Sequence, residues 1–148
     1  MEATVLRLKV DSQTELVKKA IKMLNEAFSQ INPKVIFCTS DEERGFDFEI
    51  KFVSKQKMIS LAGKEALGYC DSLNRQIYIL YDLNSIKNES ELLSTIMHEL
   101  LHAIGLSHIP EVHSLMYKED RGVRGPTIYD VKALVRHLKL RKSTQEVR

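Results

Sequence analysis

The stretch HELLHAIGLSH, residues 98–108, holds three of the five histidines in this chain of 148 residues. His98 and His102 are four residues apart, which places both side chains on one face of a helix, one turn from each other. The same helical geometry puts the apolar residues around them on the opposite face. These residues are Leu92, Leu93, Ile96, Leu100, Ala103 and Ile104. A histidine pair that only filled a core would lie on the apolar side, so this pair is predicted to bind a ligand.

The second half of the stretch supplies a third imidazole. A straight helix would carry His108 away from the first two histidines, but Gly105 can turn the chain through positive φ at little steric cost. Three histidines with a fourth position open are typical of a catalytic zinc, whereas structural zinc sites fill all four positions, usually with cysteine. No cysteine lies near the cluster. Glu99 flanks it and is predicted to act as a general base and acid rather than as a ligand.

Outward from this stretch, the periodicity predicts an α+β fold. Period-two alternation or short apolar runs predict strands at residues 4–10, 34–38, 46–53, 65–70 and 76–81. Ser12 and Glu15 form a capping box for a long amphipathic helix that ends before Pro33. Asn88 with Glu91 is predicted to cap a helix from about residue 90 to 104, and Thr127 with Asp130 a closing helix. The order βαβββ followed by two helices predicts helices packed on a mixed sheet.

Composition limits the classes of function. Apolar residues make up 43% and charged residues 28% of the chain, as in an ordinary globular domain, and a single domain is expected over residues 1–148. The net charge of +2 without a basic stripe argues against nucleic acid, and residues 141–148 are expected to form a flexible basic tail. No apolar run reaches membrane-span or signal-peptide length, so a cytoplasmic location is expected, with a trimmed leader left open. Cys38 and Cys70 are predicted to be free thiols, although one disulfide stays possible.

The quoted stretch resembles the zinc signature of the metzincin metallopeptidases. The segment SLMY, residues 114–117, resembles the methionine turn of that group, and Met116 follows His108 by eight residues, as in the matrixins. The likeness extends to ALGYC, similar to the matrixin edge strand, to QIYILYD after it, and to the closing helix TIYDVKALVRHL. The resemblance implies a metzincin-like zincin fold, with a twisted mixed sheet of about five strands and a substrate cleft under the edge strand.

The resemblance also implies a function, which is a zinc-dependent endopeptidase that hydrolyses an extended peptide with zinc-activated water. A monomer with one catalytic zinc is expected, and the lack of any histidine before His98 argues against a second, structural zinc. Ile109 stands where matrixins usually have serine, which is a departure from the matrixin pattern. The implied site comprises His98, His102 and His108 as zinc ligands, Glu99 as catalyst, Met116 as a floor beneath the metal, and Leu67, Gly68, Tyr69, Cys70 and Tyr117 as substrate contacts.

Two alternatives stay open at this stage. The chain could be a non-catalytic module that captures a peptide along its edge strand without cutting it. The zinc could also be purely structural, in which case its removal should unfold the domain. Cleavage of peptides that stops when a chelator is added would separate both alternatives from the peptidase.

Overall fold

The computed structural model describes residues 3–41, 45–82 and 88–147, with side chains as far as Leu140. Five strands and four helices follow one another in the order βαββαββαα. The strands are β1 Thr4–Val10, β2 Val35–Thr39, β3 Phe48–Val53, β4 Gly68–Asp71 and β5 Gln76–Leu80, and the helices are α1 Thr14–Ala27, α2 Lys55–Ala62, α3 Glu89–Ala103 and α4 Ile128–Val147. The five predicted strands are therefore confirmed, with ends shifted by up to three residues.

The strands form one mixed sheet in the order β2-β1-β3-β5-β4. All neighbours are parallel except β4, which runs antiparallel to β5 with Gly68 opposite Ile79. The predicted mixed sheet of about five strands is confirmed, and β4 lies at one edge of it. The free cysteines Cys38 on β2 and Cys70 on β4 lie at opposite edges, so four inter-strand spacings of about 4.8 Å keep them apart.

Helix α1 forms as predicted but does not begin as predicted. Its residue before the first turn is Gln13, which has a left-handed backbone with φ 55° and makes no side-chain cap. Asp11, directly after β1, is still hydrogen-bonded to the sheet, since its N–H donates to the Ile50 carbonyl, and the Ser12 hydroxyl donates to Asp11 and caps no N–H of the helix. The predicted capping box of Ser12 and Glu15 is wrong, because Gln13 and not Ser12 takes the position before the first turn, and only Glu15 lies in the helix.

The periodicity did not reveal helix α2, which lies between β3 and β4. The Ser54 hydroxyl accepts the Lys57 N–H at its start, and Gly63 ends it with φ 78°. Met58 is the only buried side chain of this eight-residue helix, so its sequence carries no apolar stripe. A short helix held by one anchor and two caps does not produce the periodic signal on which a helix prediction rests.

The core lies between the sheet and the pair α1 and α3. Burying each large aliphatic or aromatic side chain contributes about 1.5–3 kcal/mol to folding. The apolar face of α3 is buried there, as predicted, so α3 is a rigid support whose opposite face is free to carry the site. Fully buried core residues include Leu8, Leu24, Phe28, Ile50, Ile77, Ile79, Ile96, Met97 and Leu100.

Helix α4 closes the fold and contributes Leu134 and Leu138 to the core. The side chains of residues 141–148 lie outside the described part, so the flexible tail stays a prediction, as does the single domain. Among the described residues, none of the helices has both the length and the apolar character needed to cross a membrane.

Candidate metal centre

Helix α3 and the loop after it bring three imidazole rings together. His98 and His102 lie one turn apart on α3, with ring centroids 4.7 Å from each other, and the His108 ring lies 4.8 Å from that of His102 and 5.4 Å from that of His98. One ring nitrogen from each of the three lies within 4.8 Å of the others. The three histidines singled out by their spacing are therefore neighbours in the fold.

Hydrogen bonds fix which ring nitrogens face the centre. The Nδ1 atoms of His98 and His102 each lie 2.7 Å from a backbone carbonyl, of Leu115 and Leu106 respectively. A carbonyl only accepts, so in a neutral ring Nδ1 carries the hydrogen and Nε2 keeps a lone pair. Burial lowers the pKa of His98 to about 4 and also lowers the pKa of His102, which favours neutral rings at pH 7.

The two Nε2 atoms are 3.1 Å apart. Two lone pairs this close repel each other unless a cation lies between them. Tetrahedral zinc with bonds of 2.0–2.1 Å holds its nitrogen ligands about 3.3 Å apart, so the spacing fits the ion. The donor set also fits, because imidazole nitrogens are preferred zinc ligands.

The end of α3 explains how His108 returns to the first two histidines. Gly105 has φ 114°, its N–H donates to the His102 carbonyl, and the N–H of Leu106 donates to that of Leu101. This pair of bonds is a Schellman motif, which ends a helix and reverses the chain. A Cβ on Gly105 would also lie 2.6 Å from Nε2 of His137. The predicted turn through positive φ is confirmed.

A tight turn around Met116 lies next to the segment that carries His108. The Ile109 N–H, next to His108, donates to the Met116 carbonyl, and the Met116 side chain is fully buried. The backbone N–H of Met116 donates to the Ser114 hydroxyl. This turn also carries the Leu115 carbonyl that holds His98, so it positions one imidazole directly.

Asp130, at the start of α4, ties that turn to the rest of the fold. Its fully buried carboxylate accepts the Ser114 hydroxyl at 2.6 Å and the Leu115 N–H at 3.1 Å. It also accepts the N–H and hydroxyl of Thr127, which is the predicted helix cap. Sequence reasoning assigned Asp130 only this local role. Its contacts with residues 15 and 16 positions earlier have no local pattern that could have revealed them.

Glu99 lies on α3 beside the two histidines and is only 6% exposed. Burial raises the pKa of its carboxyl to about 8. A divalent cation held by the histidines would act in the opposite direction and favour the carboxylate. The side chain is thus in a place where its proton affinity responds strongly to nearby charge, as a proton-transfer group requires.

A cleft of about 870 Å³ passes over these groups. The five predicted substrate contacts all line it, together with the three histidines and Glu99; these contacts are Leu67, Gly68, Tyr69, Cys70 and Tyr117. The described structure therefore gathers the whole predicted set, except the buried Met116, around one cavity.

The hydrogen-bond alternation of β4 shows which of its backbone groups point away from β5. The Leu67 carbonyl accepts the Leu80 N–H, so Leu67 and, two residues on, Tyr69 point their backbone groups at β5. The N–H and C=O groups of Gly68 and Cys70 then point to the free edge of the sheet. The Tyr69 ring stacks on Tyr78 across the strand pair, with centroids 6.1 Å apart.

Comparison with known proteins supports the fold. No family model matches the chain, and no curated protein matches its sequence. Among solved structures, the chain is similar to archaemetzincin from Methanopyrus kandleri, with a TM-score of 0.58 and 14% identity over 93% of this chain and 96% of that one. The name of that protein places it among the metzincins and does not single out the matrixins. The chain therefore has the metzincin-like zincin fold that its histidine signature predicted.

Proposed function

We propose that the chain is a zinc-dependent metallopeptidase that cleaves within extended peptides. The observation that carries this proposal is the convergence of one ring nitrogen each from His98, His102 and His108, beside the buried Glu99, in a cleft that the edge strand β4 also lines. The likeness of the fold to archaemetzincin supports the same reading. We also propose that this peptidase is matrixin-like. This part of the proposal rests on the sequence alone, on Met116 eight residues after His108 and on the segment LMY around it.

Zinc at the three nitrogens would supply Lewis-acid chemistry, polarising a carbonyl and lowering the pKa of water to about 7. The chain itself supplies proton transfer. Glu99 can accept a proton from the attacking water and donate it to the nitrogen of the leaving amine, which balances the hydrolysis of one peptide bond. No covalent bond between enzyme and substrate is needed.

The edge strand is suited to hold the substrate. Gly68 and Cys70 present backbone donors and acceptors at the free edge of β4, and an extended peptide could pair with them as an added strand. Residues from Lys64 to Cys70 line the cleft, so peptide can lie along this wall on both sides of the reacting bond. This arrangement favours cleavage within a peptide over removal of a terminal residue.

The test is to profile cleavage of a peptide library by the purified chain, with and without a chelator, for the wild type and Glu99→Gln. We expect products that disappear on chelation and return with zinc. Glu99→Gln should keep zinc and the fold but lose about 10²–10⁴-fold in kcat, the usual contribution of a general base. Glu26→Gln, an exposed glutamate on α1, is the matched control and should cleave like the wild type.

Two outcomes would contradict the proposal. Stoichiometric peptide binding without chelator-sensitive products would identify a binding module instead. Unfolding on metal removal, together with a metal that has no exchangeable water, would identify a structural zinc.

A further inference from the structure

Gly68 of β4 lies directly against Glu99 of α3. A Cβ built on Gly68 would be 2.6 Å from Oε2 of Glu99, 2.8 Å from its Cγ and 3.0 Å from its Cδ. Real Cβ atoms essentially never approach other atoms so closely, so any side chain here would displace Glu99. Gly68 is in a strand and does not have positive φ. Its backbone could accept another residue, and the glycine is required only for the space it leaves.

Hydrogen bonding does not explain the position of the Glu99 carboxylate. Within the described part of the chain, no side chain or backbone N–H donates to it, although the residue is only 6% exposed. The Asp130 carboxylate, by comparison, accepts four hydrogen bonds. The location of the Glu99 carboxylate is therefore set by packing, and the backbone of Gly68 is the surface against which it packs.

We propose that Gly68 is a positioning residue for Glu99, because its missing side chain lets the carboxylate lie under the free edge of β4, where a substrate strand would add. This inference rests on the proposed function for its catalytic meaning, but the contact itself is independent of activity. It gives Gly68 two roles, since its backbone faces the substrate edge and its empty Cβ position receives the proton-transfer group.

A double-mutant cycle tests the contact. The purified full chain is compared as wild type, Gly68→Ala, Glu99→Ala and the double variant, by urea unfolding and by zinc competition. We expect Gly68→Ala to lower the unfolding midpoint in the wild type and to leave it unchanged when Glu99 is already alanine. Zinc affinity should stay within about threefold of the wild type in all four proteins, because no zinc ligand is altered.

Peptide cleavage by Gly68→Ala tests the catalytic part. Displacement of a reacting group by about 1 Å can cost about 10²-fold in rate, so we expect a loss of that order in kcat and a much smaller change in KM. Gly125→Ala is the matched control, because Gly125 has no positive φ and, apart from its two neighbours in the sequence, the nearest atom to its Cβ position is the Met23 Cε at 4.0 Å. It should change neither the unfolding midpoint nor kcat.

Equal destabilisation by Gly68→Ala in both backgrounds, or failure to fold in both, would overturn the inference, because the obstruction would then not be Glu99. A loss of kcat without coupling in the cycle would also overturn it. If the Gly68→Ala and Glu99→Ala substitutions are coupled but the wild type cleaves no peptide, the contact is supported and the proposed function is refuted. Failure of this inference and failure of the proposed function are therefore distinguishable.

Discussion

Asp130 shows how much one buried carboxylate can organise. Its two oxygens bind the Ser114 hydroxyl, the Leu115 N–H and Thr127, so they join the start of α4 to the turn that carries Met116. The Leu115 carbonyl in turn accepts the Nδ1–H of His98. Mutation of groups that orient a metal ligand typically lowers metal affinity about 10–100-fold.

We predict that Asp130→Asn destabilises the fold and weakens zinc binding. The amide has one accepting oxygen in place of two, so one buried set of hydrogen bonds is lost, and each bond to a charged group contributes about 1.5–3 kcal/mol. We expect a loss of about 2–4 kcal/mol in urea unfolding and a zinc affinity about 10–100-fold weaker by competition with a chelator.

Asp11→Asn is the matched control for that prediction. Asp11 also accepts hydrogen bonds, from the Ser12 hydroxyl and the Phe52 N–H, but it is exposed and belongs to the loop after β1. It should leave zinc affinity unchanged. Wild-type zinc affinity in Asp130→Asn would show that the Met116 turn holds His98 without help from α4.

At the scale of elements, the end of α3 decides the site. Two ligands lie within the helix and the third lies beyond it, so the helix must stop at one position and reverse in one direction. Gly105 does both with φ 114° and two backbone bonds of about 3.0 Å. Its lack of a side chain also makes room for His137 of α4.

We predict that Gly105→Ala moves His108 out of the cluster. The backbone conformation costs an L residue about 1–2 kcal/mol, and the new methyl group would meet the His137 ring. We expect a clear loss of stability in urea unfolding and a zinc affinity at least tenfold weaker. Adding His137→Ala should remove this steric contact and restore part of the stability and part of the zinc affinity. The cost of positive φ at residue 105 remains in the double variant.

Gly63→Ala provides the comparison, because Gly63 ends α2 with φ 78° and has no atom within 4 Å of the Cβ position. It should cost stability through the backbone alone and leave zinc affinity unchanged. Equal zinc affinities in the wild type and Gly105→Ala would mean that His108 reaches the cluster by another route.

At the scale of the whole molecule, the buried site makes stability depend on pH. Burial raises the pKa of Glu99 from 4.5 to about 8 in the metal-free protein. Between these values the unfolded chain releases a proton that the folded chain keeps, so the contribution of Glu99 to stability falls as pH rises. His98 acts in the other direction, because its lowered pKa reduces stability as pH falls below 6.5.

We therefore predict that Glu99→Gln stabilises the metal-free protein in a pH-dependent way. Glutamine resembles the protonated acid, so the gain over the wild type should be small at pH 5 and reach on the order of 2–4 kcal/mol at pH 8. The His98 effect is common to both proteins and cancels. Urea unfolding in the presence of a chelator, at several pH values from 5 to 8, measures the difference.

Zinc supplies the internal control for this prediction. A cation bound by the histidines favours the Glu99 carboxylate. The gain in stability of Glu99→Gln over the wild type at pH 8 should therefore be smaller when both proteins have bound zinc. A stability difference that does not change with pH would show that burial does not hold the proton on Glu99.

Local sequence patterns predicted the candidate metal ligands of this chain, because these residues lie on one helix and the turn after it. The spacing of His98, His102 and Gly105 is read directly from helix geometry, and alternation placed the strands to within three residues. Capping at the start of α1 was predicted wrongly, since pairing of Asp11 with β3 overrode the preference of Ser12. Helix α2 was missed because only Met58 anchors it.

The amino-acid sequence alone determined the mixed α+β class, the histidine cluster and the glutamate beside it, because these depend on separations of a few residues along regular elements. Only the tertiary structure decided that Asp130 supports the turn whose Leu115 carbonyl is hydrogen-bonded to His98, and that Gly68 packs against Glu99. Each of these contacts joins residues at least 15 positions apart on different elements, so it comes into being only when the sheet and the helices pack together.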